Sequence, residues 1–411
     1  MSSHNLYVQK FGGTSLATPE RIQKVAEIIQ NTLKNGHQVA VVVSAMGHET
    51  DRLVNLAKQI SPSASGREYA SLISTGEQVS ATLLSLCLSS LGLRAKSFTG
   101  GQAGILTDSQ FEKARILHID ESALQQALED GYIPIITGFQ GVNEEGDITT
   151  LGRGGSDTTA VALAVALKAQ ECQIFTDVDG VYTTDPRICS QAQFLPEISG
   201  MEMLESSSLG NQVLHVRSVE MAEKYHMPLR VLSSFQKGLG TCIKPSANFH
   251  APSMEKAAIR QITYSREEVL VTLSLDKNKL YLFDKYLHQL GLQMIEVDML
   301  TYSPECELVQ VNISQSNAIK ALQCFNNIIQ DKNMTCHYEQ NLSKISLIGV
   351  GLMSHPGVLQ KMLFVLSEQK IVVKLLLTSE MKISVLIPDE KLKRGICALH
   401  EAFLGEVLDL V

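Results

Sequence analysis

The sequence predicts an α/β chain: a largely parallel central sheet flanked by helices over residues 1–245, then two ferredoxin-like βαββαβ units. Three observations carry this expectation. Short β-branched runs alternate with helical stretches through the first region, the rhythm of strands joined by crossover helices. A polar, proline-bearing stretch at 246–253 (SANFHAPS) then breaks that rhythm, as a linker does. Beyond it the order strand, helix, strand, strand, helix, strand fills about seventy residues and then recurs.

Each element has a local reason. Residues 6–9, 38–44, 133–137 and 173–176 are short apolar runs, the pattern of strands buried on both faces of a parallel sheet. Thr18-Pro19-Glu20 opens a helix with an N-cap, a proline at N1 and an early acid. Further helices are expected at 78–91 and 157–168. In the second region the first unit has strands at 269–275, 294–301, 308–313 and 334–338, with helices at 279–290 and 317–329. The second has strands at 345–350, 371–377 and 382–387, with helices at 356–369 and 390–403.

Composition narrows the function. A chain of 411 residues exceeds one ordinary core and implies two or three domains. Its 44% hydrophobic and 19% charged content is that of a soluble globular protein. The net charge of −8, with no basic block, argues against a nucleic-acid partner. A nucleotide stays open, because a local nest of amides binds phosphate inside an acidic protein. Cys87, Cys172, Cys189, Cys242, Cys306, Cys324, Cys336 and Cys397 form no CxxC pair, so neither a zinc ribbon nor a disulfide framework is indicated. The start, MSSHNLYVQKFGG, lacks the basic and apolar regions of a signal peptide, and no apolar run reaches the ~20 residues that cross a bilayer. The expectation is a cytoplasmic protein with no membrane partner.

Three segments carry chemistry. The first strand runs into Lys10-Phe11-Gly12-Gly13-Thr14-Ser15. Paired glycines let backbone approach an anion, and the lysine adds a fixed positive charge. It is not a Walker A loop, since the lysine precedes the glycines; a tight strand-to-helix turn with an exposed lysine fits the same residues. Second, Thr150 to Thr159 (TLGRGGSDTT) sets Gly152, Gly154, Gly155 and Ser156 at a helix start, an anion nest, with Arg153 offering a planar fork for carboxylate or phosphate. Asp157 there also suits a plain helix cap. Third, Thr176-Asp177-Val178-Asp179-Gly180-Val181-Tyr182-Thr183-Thr184-Asp185-Pro186-Arg187 leaves a buried strand at its carboxyl end, where α/β ligand sites lie. Its DxDG spacing lacks the twelfth-position glutamate of a calcium loop.

Taken in order, KFGGTS, the VVVSAMG of 41–47, the STGEQ of 74–78, TTLGRGGSDTTA and TDVDGVYTTDPR resemble the aspartate kinase branch of the amino acid kinase superfamily. The resemblance covers essentially the whole chain, because GVGLMSHPGV at 349–358 and TSEMKIS at 378–384 are similar to paired ACT domains. It implies a catalytic domain at 1–245 and ACT domains at 257–340 and 343–411. The implied reaction is transfer of the ATP γ-phosphoryl group to the side chain of L-aspartate, with Mg²⁺ on the phosphates and no metal held by the protein alone. Lys10 and Asp157 would be the catalytic pair, Asp157 organising phosphate-binding groups rather than acting as base. Ser44, Thr50, Glu77, Arg153, Gly154, Gly155 and Ser156 would bind aspartate, Glu77 taking its ammonium and Arg153 its α-carboxylate. Lys10, Phe11, Gly12, Gly13, Thr176, Asp177, Tyr182, Asp185 and Arg187 would bind the nucleotide. Lysine, threonine or both would be effectors, and a homodimer or higher oligomer would form through the ACT region.

Two departures stand out against the family pattern. His215-Val216-Arg217 replaces the usual His-Pro-Arg, loosening a turn without removing a charge. The turn Asp276-Lys277-Asn278-Lys279 of the first repeat lacks the customary glycine, whereas the second keeps Gly349-Val350-Gly351 and Thr378-Ser379-Glu380. Feedback control is therefore expected to be weak or unusual. Two rivals compete: a superfamily kinase acting on glutamate, acetylglutamate or UMP, and a catalytically silent amino-acid sensor. GRGGSDTTA and the tandem repeats oppose the first; the presence of Lys10, Glu77, Arg153 and Asp157 opposes the second.

Overall fold

The computed structural model describes residues 5–211, 213–249, 258–274, 280–303, 307–328 and 335–405. It divides into two compact units, one of residues 1–181, 194–208 and 212–252, the other of 182–193, 209–211 and 253–411.

In the first unit, eight strands lie in the order Glu197–Ser199, Thr241–Lys244, Leu229–Ser233, Glu171–Thr176, Leu6–Phe11, Gln38–Val43, Ile133–Thr137, Ala95–Phe98. The four strands expected from the apolar runs lie side by side in it, all parallel to their neighbours. Alternation along one strand builds two cores. Val39, Val41 and Val43 pack with Ile22, Val25 and Ile29 of helix Pro19–Lys34 and Leu84 and Leu88 of helix Thr75–Ser90. Ala40 and Val42 join the core of helix Gly155–Ala166, a helix buried almost all round because its residues are small or apolar. Helix Pro19–Lys34 starts as expected, with Pro19 at N1 and the Thr18 hydroxyl accepting the Arg21 N–H at 3.3 Å. A smaller sheet, in the order Ile116–Ile119, Ile105–Thr107, Gln140–Val142, Ile148–Thr150, was not anticipated. Three of its strands have only three residues each, too few to show a period.

The carboxyl ends of the central strands are stitched together by single amides. Gly12 donates to the Phe175 carbonyl (3.2 Å), Ser44 to Phe11 (3.1 Å) and Gly138 to Val43 (2.9 Å). This stepped edge is where an open α/β sheet places its ligands.

The second unit is one six-stranded antiparallel sheet, ordered Leu300–Ser303, Leu308–Ser314, Ala258–Ser274, Thr335–Val350, Lys382–Pro388, Leu375–Thr378. Helices Leu280–Leu292 and Gln315–Ile328 belong to one half, Pro356–Glu368 and Leu392–Leu404 to the other, each half with its own core. The expected strands 334–338 and 345–350 are a single strand, and the strand expected at 269–275 reaches back to Ala258. Residues 268–274 pair within the first half, while 258–265 pair with 344–350 of the second, the register shifting between Ser265 and Glu268. The second half thus takes its fourth strand from ahead of the first. That stretch, AIRQITYS, mixes apolar with charged and polar residues and escaped notice beside the linker. Expected strands 294–301 and 371–377 shrink to Leu300–Ser303 and Leu375–Thr378. The turn 276–279, linker residues 250–253 and Cys306 lie outside the described residues.

Segment 182–193 folds as part of the second unit. Ile262 donates its N–H to the Thr183 carbonyl (2.7 Å), the Thr183 hydroxyl lies 2.8 Å from His400 Nε2, and Cys189 is buried in the second-half core. Among the described residues no helix is long and apolar enough to cross a membrane.

Candidate active site

Lys10 is the penultimate residue of its strand, and its ammonium meets the Asp157 carboxylate at 2.6 Å in a site that leaves both side chains only about a tenth exposed. The pair is a close charge contact, and an ammonium with three N–H groups keeps donors for a further partner. Asp157 stands in the first turn of helix Gly155–Ala166, whose leading amides have no carbonyl within the helix to bond. Gly154 opens that helix at φ 68°, and a Cβ there would stand 2.3 Å from the His215 ring, so only glycine fits. His215 in turn accepts the Arg217 N–H at the start of helix Val216–Lys224. Arg217 clamps the glycine loop from below, donating to the carbonyls of Leu151 (2.5 Å) and Ala114 (3.1 Å). Valine in place of the family's proline therefore leaves this clamp intact.

The opposite wall comes from the loop after strand Gln38–Val43. Gly13 packs against it so closely that a Cβ would lie 3.0 Å from the carbonyls of Ala45 and Gly47. The Ala45 N–H donates to Glu77 Oε1 at 3.1 Å. Glu77 lies in the first turn of helix Thr75–Ser90 and is 3% exposed. Its other oxygen, Oε2, is buried without a hydrogen-bond partner. Burial pushes the carboxyl up to about 8, although hydrogen bonds from its own backbone and from Ala45 pull the other way. A shift of that size disfavours the ionised form by on the order of 5 kcal/mol. A buried acid with one bare oxygen is a socket for a cation.

Between these walls opens a cavity of ≈ 270 Å³. Lys10, Gly13, Ser44, Thr50, Glu77, Arg153, Gly154, Gly155, Ser156 and Asp157 all line it, so residues from position 10 to position 157 converge on one cleft. Gly152 of the expected anion nest lines it as well, as do Ala45, Gly47 and Phe139, which were not singled out. Gly47, with φ 48°, closes the VVVSAMG segment and was within reach of sequence reasoning. Phe139 was not: it adopts φ 70°, a conformation rare for a bulky side chain, with its N–H on Thr159 Oγ1 (3.1 Å) and its carbonyl accepting from Leu151 (2.8 Å).

The expected nucleotide residues divide. The Phe11 ring is fully buried and stacks on Phe175 with centroids 4.7 Å apart, so its side chain belongs to the core. The Gly12 N–H is already bonded to Phe175, so Gly12 contributes close approach, a Cβ there lying 3.5 Å from Lys10 Nζ. Thr176 ends its strand with its hydroxyl donating to Asp177 (3.0 Å). Tyr182, Asp185 and Arg187 belong to the second unit. There the Asp185 carboxylate accepts from Arg187 Nε (3.0 Å) and Nη2 (2.9 Å) and from the Tyr264 hydroxyl (2.9 Å). Burial raises its carboxyl, but these bonds outweigh it and leave it below the usual range. The Tyr182 carbonyl accepts from Gln261 (3.0 Å).

Known proteins fit this geometry. The amino acid kinase family model matches residues 5–233 and an ACT domain model matches 345–403. The chain is 45% identical over 402 residues to an aspartate kinase of Stutzerimonas stutzeri (strain A1501), covering 97% of each. E. coli aspartokinase III in complex with aspartate and ADP (R-state) superposes with a TM-score of 0.79 at 26% identity, over 98% of this chain and 100% of that one. The complex of E. coli aspartokinase III with lysine and aspartate (T-state) gives 0.76 at 25% identity, over 97% and 99%.

Proposed function

We infer the roles of the site from one premise: the chain belongs to the amino acid kinase family, in its aspartate kinase branch. It transfers the γ-phosphoryl group of ATP to the side-chain carboxylate of L-aspartate, the first step toward lysine, threonine and methionine, under feedback control through its ACT region.

The observation that carries our assignment of residues is the cavity, where a cation, a helix start and a bare buried carboxylate oxygen meet. Glu77 receives the substrate ammonium, and Arg153, exposed at the rim, takes the α-carboxylate, with Ser44, Thr50 and the Gly154–Gly155–Ser156 helix start completing the aspartate pocket. That leaves the β-carboxylate free to attack. With a reference pKa near 3.9 it is already ionised at neutral pH, so no general base is needed. Lys10 neutralises charge on the transferring group, and Asp157 holds Lys10 in place. We place Thr176 and Asp177 at the nucleotide, with Mg²⁺ on its phosphates, where it would offset their charge. In this reading residues 1–245 form the catalytic domain and 257–411 the two ACT domains, the second taking 258–265 as a strand from ahead of the first. A coupled assay offering aspartate, glutamate and acetylglutamate tests it; turnover of either alternative in preference to aspartate would overturn it.

The buried acid gives a pH signature. Only ionised Glu77 pairs with an ammonium, and its ionised fraction grows as pH rises toward about 8. The aspartate KM is therefore expected to fall with rising pH below that value, by up to about tenfold per unit, and to level off above it. Glu77→Gln should raise the KM and flatten the profile. A wild-type KM constant from pH 6 to 8.5 would contradict the assignment.

For the second unit we propose that lysine, threonine or both bind, in a homodimer or larger assembly. Antiparallel sheet edges and exposed apolar side chains such as Met353 and Phe364, each 64% exposed, suit self-association. An effector acts only through different affinity for two arrangements of the assembly. Saturating effector should shift half-saturating aspartate by roughly 5–150-fold. Titration with lysine and threonine, singly and together at sub-saturating aspartate, checks this. Complete insensitivity in an intact oligomer would leave the unit as a dimerisation module.

A further inference from the structure

We propose that Gln140 is a positioning residue for the amino-acid substrate, one side-chain amide bracing the helix start that carries Glu77 against the strand pair that leads to Arg153. The proposal rests on the assignment of Glu77 and Arg153 to aspartate.

Gln140 begins strand Gln140–Val142 and is 2% exposed. Its Nε2 donates to the Ser74 carbonyl at 2.7 Å, within a wholly buried environment. Ser74 is the joint between helices Arg67–Ile73 and Thr75–Ser90, three residues ahead of Glu77. Its own N–H and hydroxyl bond back to Ala70 (3.1 Å) and Ser71 (2.8 Å), which tie it to the preceding helix but not to the site. The Gln140 amide supplies a tie from the other wall.

That wall is continuous with the glycine loop. Gln140 pairs with Thr150 across the strands, and the Phe139 carbonyl accepts the Leu151 N–H at 2.8 Å, one residue before Gly152-Arg153. The helix start has little slack on its far side, where a Cβ on Gly76 would stand 2.8 Å from Ala45 Cβ. Glu77 must keep Oε1 on the Ala45 N–H and Oε2 bare toward the cavity. A displacement of about 1 Å at such a site is enough to lose a large part of productive binding.

The test uses the full chain. Gln140→Met keeps length and removes the donor; Gln140→Asn keeps the amide but falls one methylene short. Either is expected to raise the aspartate KM about tenfold, the scale of one buried hydrogen bond, with kcat and the ATP KM within about twofold. In a Glu77→Gln background the Gln140 change should add nothing further to the aspartate KM, because the group it positions is gone. A raised aspartate KM in Glu77→Gln beside an unchanged one in both Gln140 variants would overturn the brace alone. So would additive effects in the double variant, or a proportional loss across all three constants, which is what general loosening produces. An unchanged aspartate KM in Glu77→Gln would overturn the substrate reading and this proposal with it.

Discussion

Lys10→Ala is expected to lower kcat by ~10²–10³ while the protein stays folded, as removal of one charge-stabilising group from a phosphoryl-transfer site does. The ammonium sits 2.6 Å from Asp157, at the carboxyl edge of the central sheet and beside the glycine pair. Alanine would remove the positive charge and also leave a nearly buried carboxylate facing the incoming phosphates. Both effects act on the transition state, where the negative charge is greatest, so kcat should fall far more than either KM rises. Lys10→Met separates them from lost packing, because it keeps the stem. Steady-state kinetics with a thermal melt checks the prediction. Turnover within a few-fold of wild type in a folded Lys10→Ala would remove this residue from the phosphoryl group.

Arg153→Ala should act on the other substrate. Its guanidinium stands on the loop between strand Ile148–Thr150 and helix Gly155–Ala166, in the lining of the cavity. A planar fork matches a carboxylate, and losing one partner of such a charged pair costs at least about thirtyfold in binding. The aspartate KM is expected to rise by that factor or more, with a smaller change for ATP. Arg153→Lys should recover only part of the loss, since a point charge cannot make two parallel bonds. An unchanged aspartate KM together with a raised ATP KM would reassign the residue to the nucleotide.

The sequence was most readable where burial on both faces forces a continuous apolar run, as in Gln38–Val43 and Ile133–Thr137, and where glycines, hydroxyls and charges crowd a helix start, as around Arg153. It was silent where geometry alone decides. Nothing in the letters Gly138-Phe139-Gln140 announces a left-handed phenylalanine or a buried amide reaching 66 residues back to Ser74. Glu77 was legible as a candidate site acid, but its raised pKa comes from burial that only folding brings about. The core role of the Phe11 ring was not legible, because the residue stands inside a glycine-rich motif while its ring turns onto Phe175. The strand from Ala258 was hidden because its partner, Thr335–Val350, lies far along the chain and its own residues alternate imperfectly.

That long strand makes the first regulatory half an insertion. Ser265 and Lys344 are cross-strand partners, so the chain departs from the second half and re-enters it opposite the point of departure. Everything between them could be replaced by a two-residue hairpin turn of the Asn-Gly type without altering the register of 258–265 against 344–350. The first half is thus a cassette, and a chimaera that exchanges 266–343 for the corresponding segment of another family member keeps the second half's sheet complete. Cutting the chain between the halves, by contrast, strips the second half of a strand it cannot supply itself.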